Sequence, residues 1–178
     1  DALAILKVAA ESGDYAKGTD QWKAIQVYNS VMDTKARDAR GLDPIKPYLN
    51  KIDAVESIKD LNALVVEMSP YGGIGFYGSY VSTDLRNSSM NTAYLGAGAL
   101  GLPGREYYVG EDEDSEEKRV KYVKHVSRML QYLGEKPAIA DANAKRVLAF
   151  ETRMSTPRMT KEESRNPYNR YNPMSIDR

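Results

Sequence analysis

Apolar residues recur at helical spacing along most of the 178-residue chain. Such spacing collects apolar side chains on one face of a helix and is typical of a helix that packs by that face. In the first 70 residues the predicted helices are a short one ending before Ser12, a long one from about Asp20 to Arg40, a short one with Tyr48, Leu49 and Ile52 buried, and one that Ser57 begins and Pro70 ends. Gly41 is expected to end the long helix, because glycine adopts left-handed backbone angles without a Cβ penalty.

The composition changes in the middle of the chain. Residues 76–83 and 92–95 are rich in β-branched and aromatic side chains, and the turn-forming residues 84–89 lie between them. Two such segments around a turn favour a pair of antiparallel strands. We therefore predict one β-hairpin, at about residues 75–97, inserted in an otherwise helical fold. Nearby glycines are expected to serve strand twist or close backbone approach; they are Gly72, Gly73, Gly75, Gly78, Gly96 and Gly98.

Helical spacing resumes after the hairpin. The acidic residues 111–117 suit the first turn of a helix, where negative charge is favoured, and Ser115 is the expected cap. The predicted apolar face of this helix consists of Tyr122, Val123, Val126, Met129, Leu130 and Leu133, before a stop at Gly134. The next helix begins at Pro137, and its predicted apolar positions are Ile139, Ala142, Val147, Phe150 and Met154. Residues 160–163 form a capping box, and 166–175 are predicted as a loop. Because neither a repeat nor a long linker divides the chain, residues 1–178 are predicted to form a single, mainly α domain.

Composition and charge limit the kinds of site and partner that this chain can have. The chain has 25 basic and 25 acidic residues, one histidine and no cysteine. A net charge near zero provides no long-range attraction for nucleic acid or an anionic membrane, so neither is expected as a partner. The sequence contains no run of about 18 apolar residues, and no membrane span is predicted. Without cysteine, disulfides and thiolate zinc sites are excluded.

Three features invite a catalytic or binding interpretation, and each has a simpler one. His125 is not part of a His-Glu-x-x-His pattern, and we interpret it as a partly exposed helical histidine. The glycine-rich residues 72–75 and 96–98 lack the Gly-Lys-Ser or Gly-Lys-Thr of a phosphate loop. The acidic residues 111–114 lack the spacing of a calcium loop. We therefore predict no catalytic and no metal-binding residue in this chain, and its substrate-binding residues remain unknown at this level.

Two further expectations concern the tyrosines and Arg105. With 13 tyrosines against 2 phenylalanines, many hydroxyls need a hydrogen-bond partner, and we expect these side chains at half-buried seams. Arg105 is expected either to anchor its irregular segment by pairing with a carboxylate such as Glu151 or to be exposed to solvent.

Four segments together resemble neprilysin-like zinc metallopeptidases, in the N-terminal, non-catalytic region of that family. They are residues 28–33 followed by 40–44, residues 81–88, residues 100–108, and residues 150–152 together with 171–175. The third, Leu-Gly-Leu-Pro-Gly-Arg-Glu-Tyr-Tyr, is the most specific, and the order and separations of all four also resemble the family's. Val31 stands where animal members have a disulfide cysteine, which suggests a bacterial branch.

The resemblance implies a largely helical lobe that covers the active-site cleft of a zinc endopeptidase and limits its substrates to peptides of modest size. The family binds zinc through His-Glu-x-x-His and a downstream glutamate on its catalytic lobe. No position here matches those residues, so none is assigned. We expect a fragment of a longer bacterial peptidase that binds no cofactor itself, is inactive alone, and has the zinc-binding catalytic lobe of the parent as its partner.

The sequence is compatible with more than one location and with two functions. The resemblance favours a periplasmic or cell-surface location, although cytoplasmic members are also expected. The alternative function is a stand-alone helical module that binds peptides or proteins without catalysis.

Overall fold

The computed structural model describes residues 2–72 and 76–175. The chain divides into two compact units, residues 1–55 and 56–178. Helices dominate both units, and an antiparallel strand pair lies in the second. The predicted fold class, mainly α with one β-hairpin, is confirmed. The organisation of residues 1–178 as a single domain stays a prediction.

Among its described residues, the first unit contains four helices. They are α1 (Ala2–Ser12), α2 (Asp20–Met32), α3 (Thr34–Arg40) and α4 (Lys46–Asp53). The prediction of one helix over 20–40 is wrong, because Asp33 interrupts it: its carboxylate accepts the Ala36 N–H at 2.9 Å and so caps α3. An N-cap residue leaves helical backbone angles, and this ends α2. Gly41 ends α3 as predicted, with φ of +49°.

The predicted core of α4 is only partly correct. Leu49 is half-buried, but Tyr48 and Ile52 are 37% and 48% exposed. A helix of 8 residues makes barely two turns, and here one side chain is half-buried rather than a whole stripe. In α2, Ile25 is the buried residue.

The second unit begins with a capped helix and the hairpin. Helix α5 (Ile58–Met68) starts at Ser57, whose hydroxyl oxygen accepts the Asp60 N–H, and gives way to a short 3₁₀ turn that contains Pro70. Strands β1 (Tyr77–Thr83) and β2 (Asn91–Ala97) pair antiparallel, with Tyr77 opposite Ala97. Of the glycines singled out from the sequence, Gly73 and Gly75 lie outside the described residues.

Five helices complete the second unit. They are α6 (Arg105–Val109), α7 (Glu113–Tyr132), α8 (Pro137–Ser155), α9 (Lys161–Arg165) and α10 (Pro167–Arg170). Asp112 caps α7 by accepting the Ser115 N–H at 2.9 Å, so the prediction of Ser115 as the cap is wrong. The capping box of Thr160 and Glu163 at α9 is confirmed. Helix α10 lies within the predicted loop.

Small residues occupy the buried positions of the packed pair α7 and α8. Ser127 of α7 is 3% exposed, and Ala140 and Ala144 of α8 are fully buried. Larger residues of the predicted apolar faces are about half exposed; they include Met129, Leu133, Ile139 and Phe150. Small side chains let two helix backbones approach closely, which leaves larger ones at the flanks. The faces predicted from helical spacing are therefore only partly correct.

Candidate functional site

A carboxylate on α8 holds the segment that follows β2 and ends with α6. We call residues 100–109 the motif segment, since they contain the most specific of the four sequence motifs. Oε1 of Glu151 accepts the Gly101 N–H at 3.1 Å, and Oε2 accepts the Tyr108 hydroxyl at 2.9 Å. The Tyr108 oxygen in turn accepts the Leu102 N–H at 2.7 Å. One glutamate thus fixes both ends of the motif segment.

Burial keeps the tyrosines of this network protonated. Tyr108 is 4% exposed. Its burial raises the pKa of its hydroxyl to about 12, and the nearby Glu151 carboxylate acts in the same direction. Burial and the hydrogen bond to Glu151 likewise raise the pKa of Tyr122. The hydroxyls therefore act as hydrogen-bond donors to Glu151 throughout the neutral range.

Further contacts fasten α6 to the helices around it. Arg119 of α7 donates to the carbonyl oxygens of Tyr107 and Gly110, at 2.9 and 2.8 Å. Glu106 forms an ion pair with Lys161, and this contact lowers the pKa of the Glu106 carboxyl. The motif segment, which includes α6, is thus held by contacts from α7, α8 and the first residue of α9.

Arg105 anchors the segment by a different partner from the one expected. Its Nε donates to the carbonyl oxygen of Thr156 at 3.2 Å, just beyond the end of α8. The predicted pairing with Glu151 is wrong: this carboxylate is engaged by neutral donors, and Arg105 is placed where a helix C-terminus favours a cation. The alternative, a solvent-exposed arginine, is also wrong, since Arg105 is half-buried.

A second polar cluster joins the hairpin turn to the C-terminal part of the chain. Asp84 accepts the N–H groups of Arg86 and Asn87 at 2.8 and 2.9 Å, and the Tyr171 hydroxyl at 3.2 Å. The Arg86 guanidinium lies 4.7 Å from the centre of the Tyr171 ring. The hydrogen bond from the Arg86 N–H is the main contact that lowers the pKa of the Asp84 carboxyl. Two pairs of the sequence motifs, separate along the chain, are therefore in contact in the fold.

An apolar groove lies beside the motif segment. It consists of two adjoining cavities of about 520 and 570 Å³, which share Phe76 and Met154 as lining residues. The rings of Phe76 and Phe150 meet edge to face, with centroids 6.3 Å apart. The sequence predicted Phe150 and Met154 as core residues, and did not indicate that Phe76 would meet them.

The features that the sequence analysis set aside make no shared site. His125 is exposed on α7, and Asp112 of the acidic run serves as a helix cap. Gly96 is a strand residue, and the Gly98 N–H donates to the Phe76 carbonyl oxygen at 3.1 Å. Within residues 2–72 and 76–175, no three histidine, cysteine, aspartate or glutamate side chains are placed to hold a metal ion. The described residues therefore do not fit zinc, and no helix among them is long and apolar enough to cross a membrane.

About half of the tyrosines follow the expectation of half-buried seams. Tyr108 is buried, and Tyr28, Tyr94, Tyr107, Tyr122 and Tyr171 are half-buried. Others, such as Tyr71 and Tyr168, are more than 70% exposed. The specific hydrogen bonds of Tyr108 and Tyr171 were not predicted from the sequence, although both residues belong to the motifs.

The chain is similar to known zinc metallopeptidases. The model of peptidase family M13 matches residues 2–178. Endothelin-converting enzyme 1 of Cavia porcellus is 25% identical over 173 residues, which are 92% of this chain and 22% of that protein. The cryo-EM structure of Mycobacterium tuberculosis zinc metalloprotease Zmp1 in its open state has a TM-score of 0.79 at 26% identity, over 92% of this chain and 25% of that one.

A further structure is similar in fold. The crystal structure of PepO from Lactobacillus rhamnosis has a TM-score of 0.72 at 16% identity, and the match covers 88% of this chain and 25% of that one. The chain thus spans about a quarter or less of each of these proteins.

Proposed function

Because the chain belongs to peptidase family M13, we propose that it forms part of the N-terminal lobe of a zinc-dependent endopeptidase. In this role it covers the active-site cleft, limits substrates to peptides of modest size, and is inactive by itself. The observation that carries the proposal is the match to a zinc metalloprotease over 92% of this chain but only 25% of that enzyme. A region of that extent corresponds to a part of that enzyme rather than to the whole, which supports the proposal.

The residues present support a role for this chain outside the catalytic centre. The sequence contains one histidine and no His-Glu-x-x-His. A peptidase zinc of this type needs two histidines, with the glutamate between them as general base on the metal-bound water. These groups must come from another part of the enzyme. The contribution of this chain is then the shape of the cleft and access to it.

The hairpin offers a surface suited to contact with another lobe. Its register places Tyr77, Val81 and Leu95 on one face, since side chains alternate along paired strands. These three residues are 53%, 71% and 77% exposed. Apolar groups gathered on one exposed face are typical of a surface that another part of a protein covers. This supports a packed neighbour, which we propose is the catalytic lobe.

The reading frame beyond residue 178 tests the proposal most directly. An in-frame His-Glu-x-x-His a few hundred residues downstream is expected. A stop codon after Arg178 would support the stand-alone binding module instead. The longer polypeptide should hydrolyse a quenched fluorescent peptide and lose this activity to a zinc chelator, whereas the 178-residue chain should not cleave it. Zinc-dependent cleavage by the 178-residue chain would contradict the proposal.

The cleft-covering role has a separate test. In the longer polypeptide, Leu95→Glu should weaken the contact of the hairpin face with its neighbour and increase cleavage of large, unfolded protein substrates relative to a short peptide. Leu85→Glu is the matched control, because Leu85 is also an exposed leucine of the hairpin but lies in its turn. Unchanged size selection in Leu95→Glu would exclude a role for this face.

A further inference from the structure

The apolar groove is lined by an arginine, Arg158, that is half-buried and has one unsatisfied donor. Nε of Arg158 is buried and has no acceptor among the described residues. A buried donor without an acceptor is costly, and more so when the group is charged. Most polar groups in a folded protein avoid this state. A guanidinium whose Nε has no acceptor, at the edge of an apolar groove, therefore favours an anionic group beside it.

The charges around the groove favour an anionic occupant. Arg146 lines the first cavity and Arg158 the second. Glu151 is the acidic residue of the lining, and its two oxygens already accept the Gly101 N–H and the Tyr108 hydroxyl. The available charge is therefore positive. A carboxylate is the group that best matches the planar donor fork of arginine.

Most of the remaining lining is apolar and has room for a large side chain. Phe76 and Phe150 present exposed ring surface, and Met154 and Met159 are flexible, polarisable side chains that adapt to different shapes. The two cavities, at about 520 and 570 Å³, are within the range of roughly 300–1,000 Å³ typical of ligand pockets. Such a groove has room for several side chains of an extended peptide.

We propose that the groove binds an extended peptide segment in which a large apolar side chain lies next to a carboxylate. The apolar side chain packs on Phe76 and Met154, and the carboxylate pairs with Arg158. Arg146 attracts a second acidic group. This binding requires neither zinc nor a catalytic lobe, so it stands or fails separately from the peptidase assignment.

The test is equilibrium binding of a fluorescein-labelled peptide, Gly-Ser-Leu-Phe-Glu-Glu-Ser-Gly, to the 178-residue chain by fluorescence anisotropy. Replacing both glutamates of the peptide by glutamine, or its Leu-Phe by Ser-Ser, should weaken binding strongly. Arg158→Gln should weaken it about tenfold, the effect expected for a lost charge-assisted hydrogen bond. High salt should weaken binding as well, because it screens the ion pairs.

A surface variant keeps the test independent of folding. Met159→Glu places a negative charge in the groove and should repel the acidic peptide, whereas Met129→Glu is the matched control. The two methionines are 45% and 46% exposed, and Met129 lies on α7 outside the lining. Circular dichroism should show the same helix content in both variants.

Several results would overturn the proposal. Equal binding of the glutamine peptide would exclude charge recognition, and unchanged binding by Met159→Glu would place the peptide elsewhere. A dimer of the chain that Met159→Glu dissociates would identify a second copy as the occupant. Binding to the 178-residue chain that is lost in a longer polypeptide would show that the parent covers the groove itself.

Discussion

Removing the Glu151 carboxylate should release the motif segment from α8. Glu151→Ala deletes the acceptor of the Gly101 N–H and of the Tyr108 hydroxyl, at 3.1 and 2.9 Å. Hydrogen bonds to a charged group contribute about 1.5–3 kcal/mol each. Because Glu151 is half-buried, the lower end applies, and the free energy of unfolding should fall by roughly 3 kcal/mol. Glu151→Gln should lose about half as much, since its amide oxygen still accepts one of the two bonds.

The assay is urea unfolding followed by circular dichroism. Glu117→Ala is the control, because Glu117 is exposed on α7 and pairs with Lys121 only across one helical turn. Such surface pairs contribute about 0–1 kcal/mol. Hydrogen exchange supplies the local readout: the amide protons of Gly101 and Leu102 should exchange faster in Glu151→Ala. A double-mutant cycle with Tyr108→Phe should show non-additive losses, as expected for groups in contact.

The role of the Glu151 carboxylate would be refuted if Glu151→Ala lost no more stability than Glu117→Ala. Unchanged exchange of the Gly101 and Leu102 amides in Glu151→Ala would also refute it. Either result would mean that the apolar contacts of the segment, rather than the carboxylate, hold it in place.

Three further predictions concern pH and packing. Burial raises the pKa of Tyr108 from 10.0 to about 12, so the contribution of its hydroxyl to the free energy of unfolding should be complete below pH 10 and lost as the pH rises through 12. Urea titrations at increasing pH should show a steeper loss of stability for the native chain than for Tyr108→Phe. Gly110→Ala should destabilise by about 1–3 kcal/mol, because its Cβ would lie 2.6 Å from a carbonyl oxygen of α6, whereas Gly96→Ala, with open space around it, should cost much less in the same thermal melts. The pKa of the Asp84 carboxyl is lowered in the folded chain, so its contribution to stability is present at a pH above its pKa in the unfolded chain and is lost as the pH falls. Tyr171→Phe removes the hydrogen bond to Asp84 and should speed limited proteolysis of the C-terminal segment at neutral pH. An unchanged cleavage rate would contradict this tether.

The local elements of this fold could be predicted because their signals lie within a few residues of one another. Apolar spacing and Pro137 indicate α8, the pair Thr160 and Glu163 caps α9, and β-forming residues around a turn indicate the hairpin. The interruption at Asp33 shows the limit of this approach, since an aspartate within apolar spacing is compatible both with one helix and with a cap between two. The family was also accessible from the sequence, because the order of four short motifs survives large changes elsewhere.

The contacts that build the candidate site could not be predicted in the same way. Gly101 and Glu151 are 50 residues apart, and Asp84 and Tyr171 are 87 apart. Which carboxylate meets which donor depends on the path of the chain and on how closely α7 approaches α8. The sequence suggested a pair of Arg105 with Glu151 as one of two alternatives, but Glu151 accepts the Gly101 N–H and the Tyr108 hydroxyl, and Arg105 donates to Thr156.

Most of the helices, the hairpin, several caps and the family of this protein could be inferred from the sequence alone, because each depends on neighbouring residues or on the order of motifs. The tertiary structure was needed to show which apolar side chains are buried, how Glu151 holds the motif segment, and that Phe76 and Met154 line one groove with Arg158, whose Nε has no acceptor among the described residues. Helical spacing fixes a face, but what covers that face depends on the distance between packed elements. In the pair of α7 and α8, small residues set that distance, and they leave the larger apolar residues exposed.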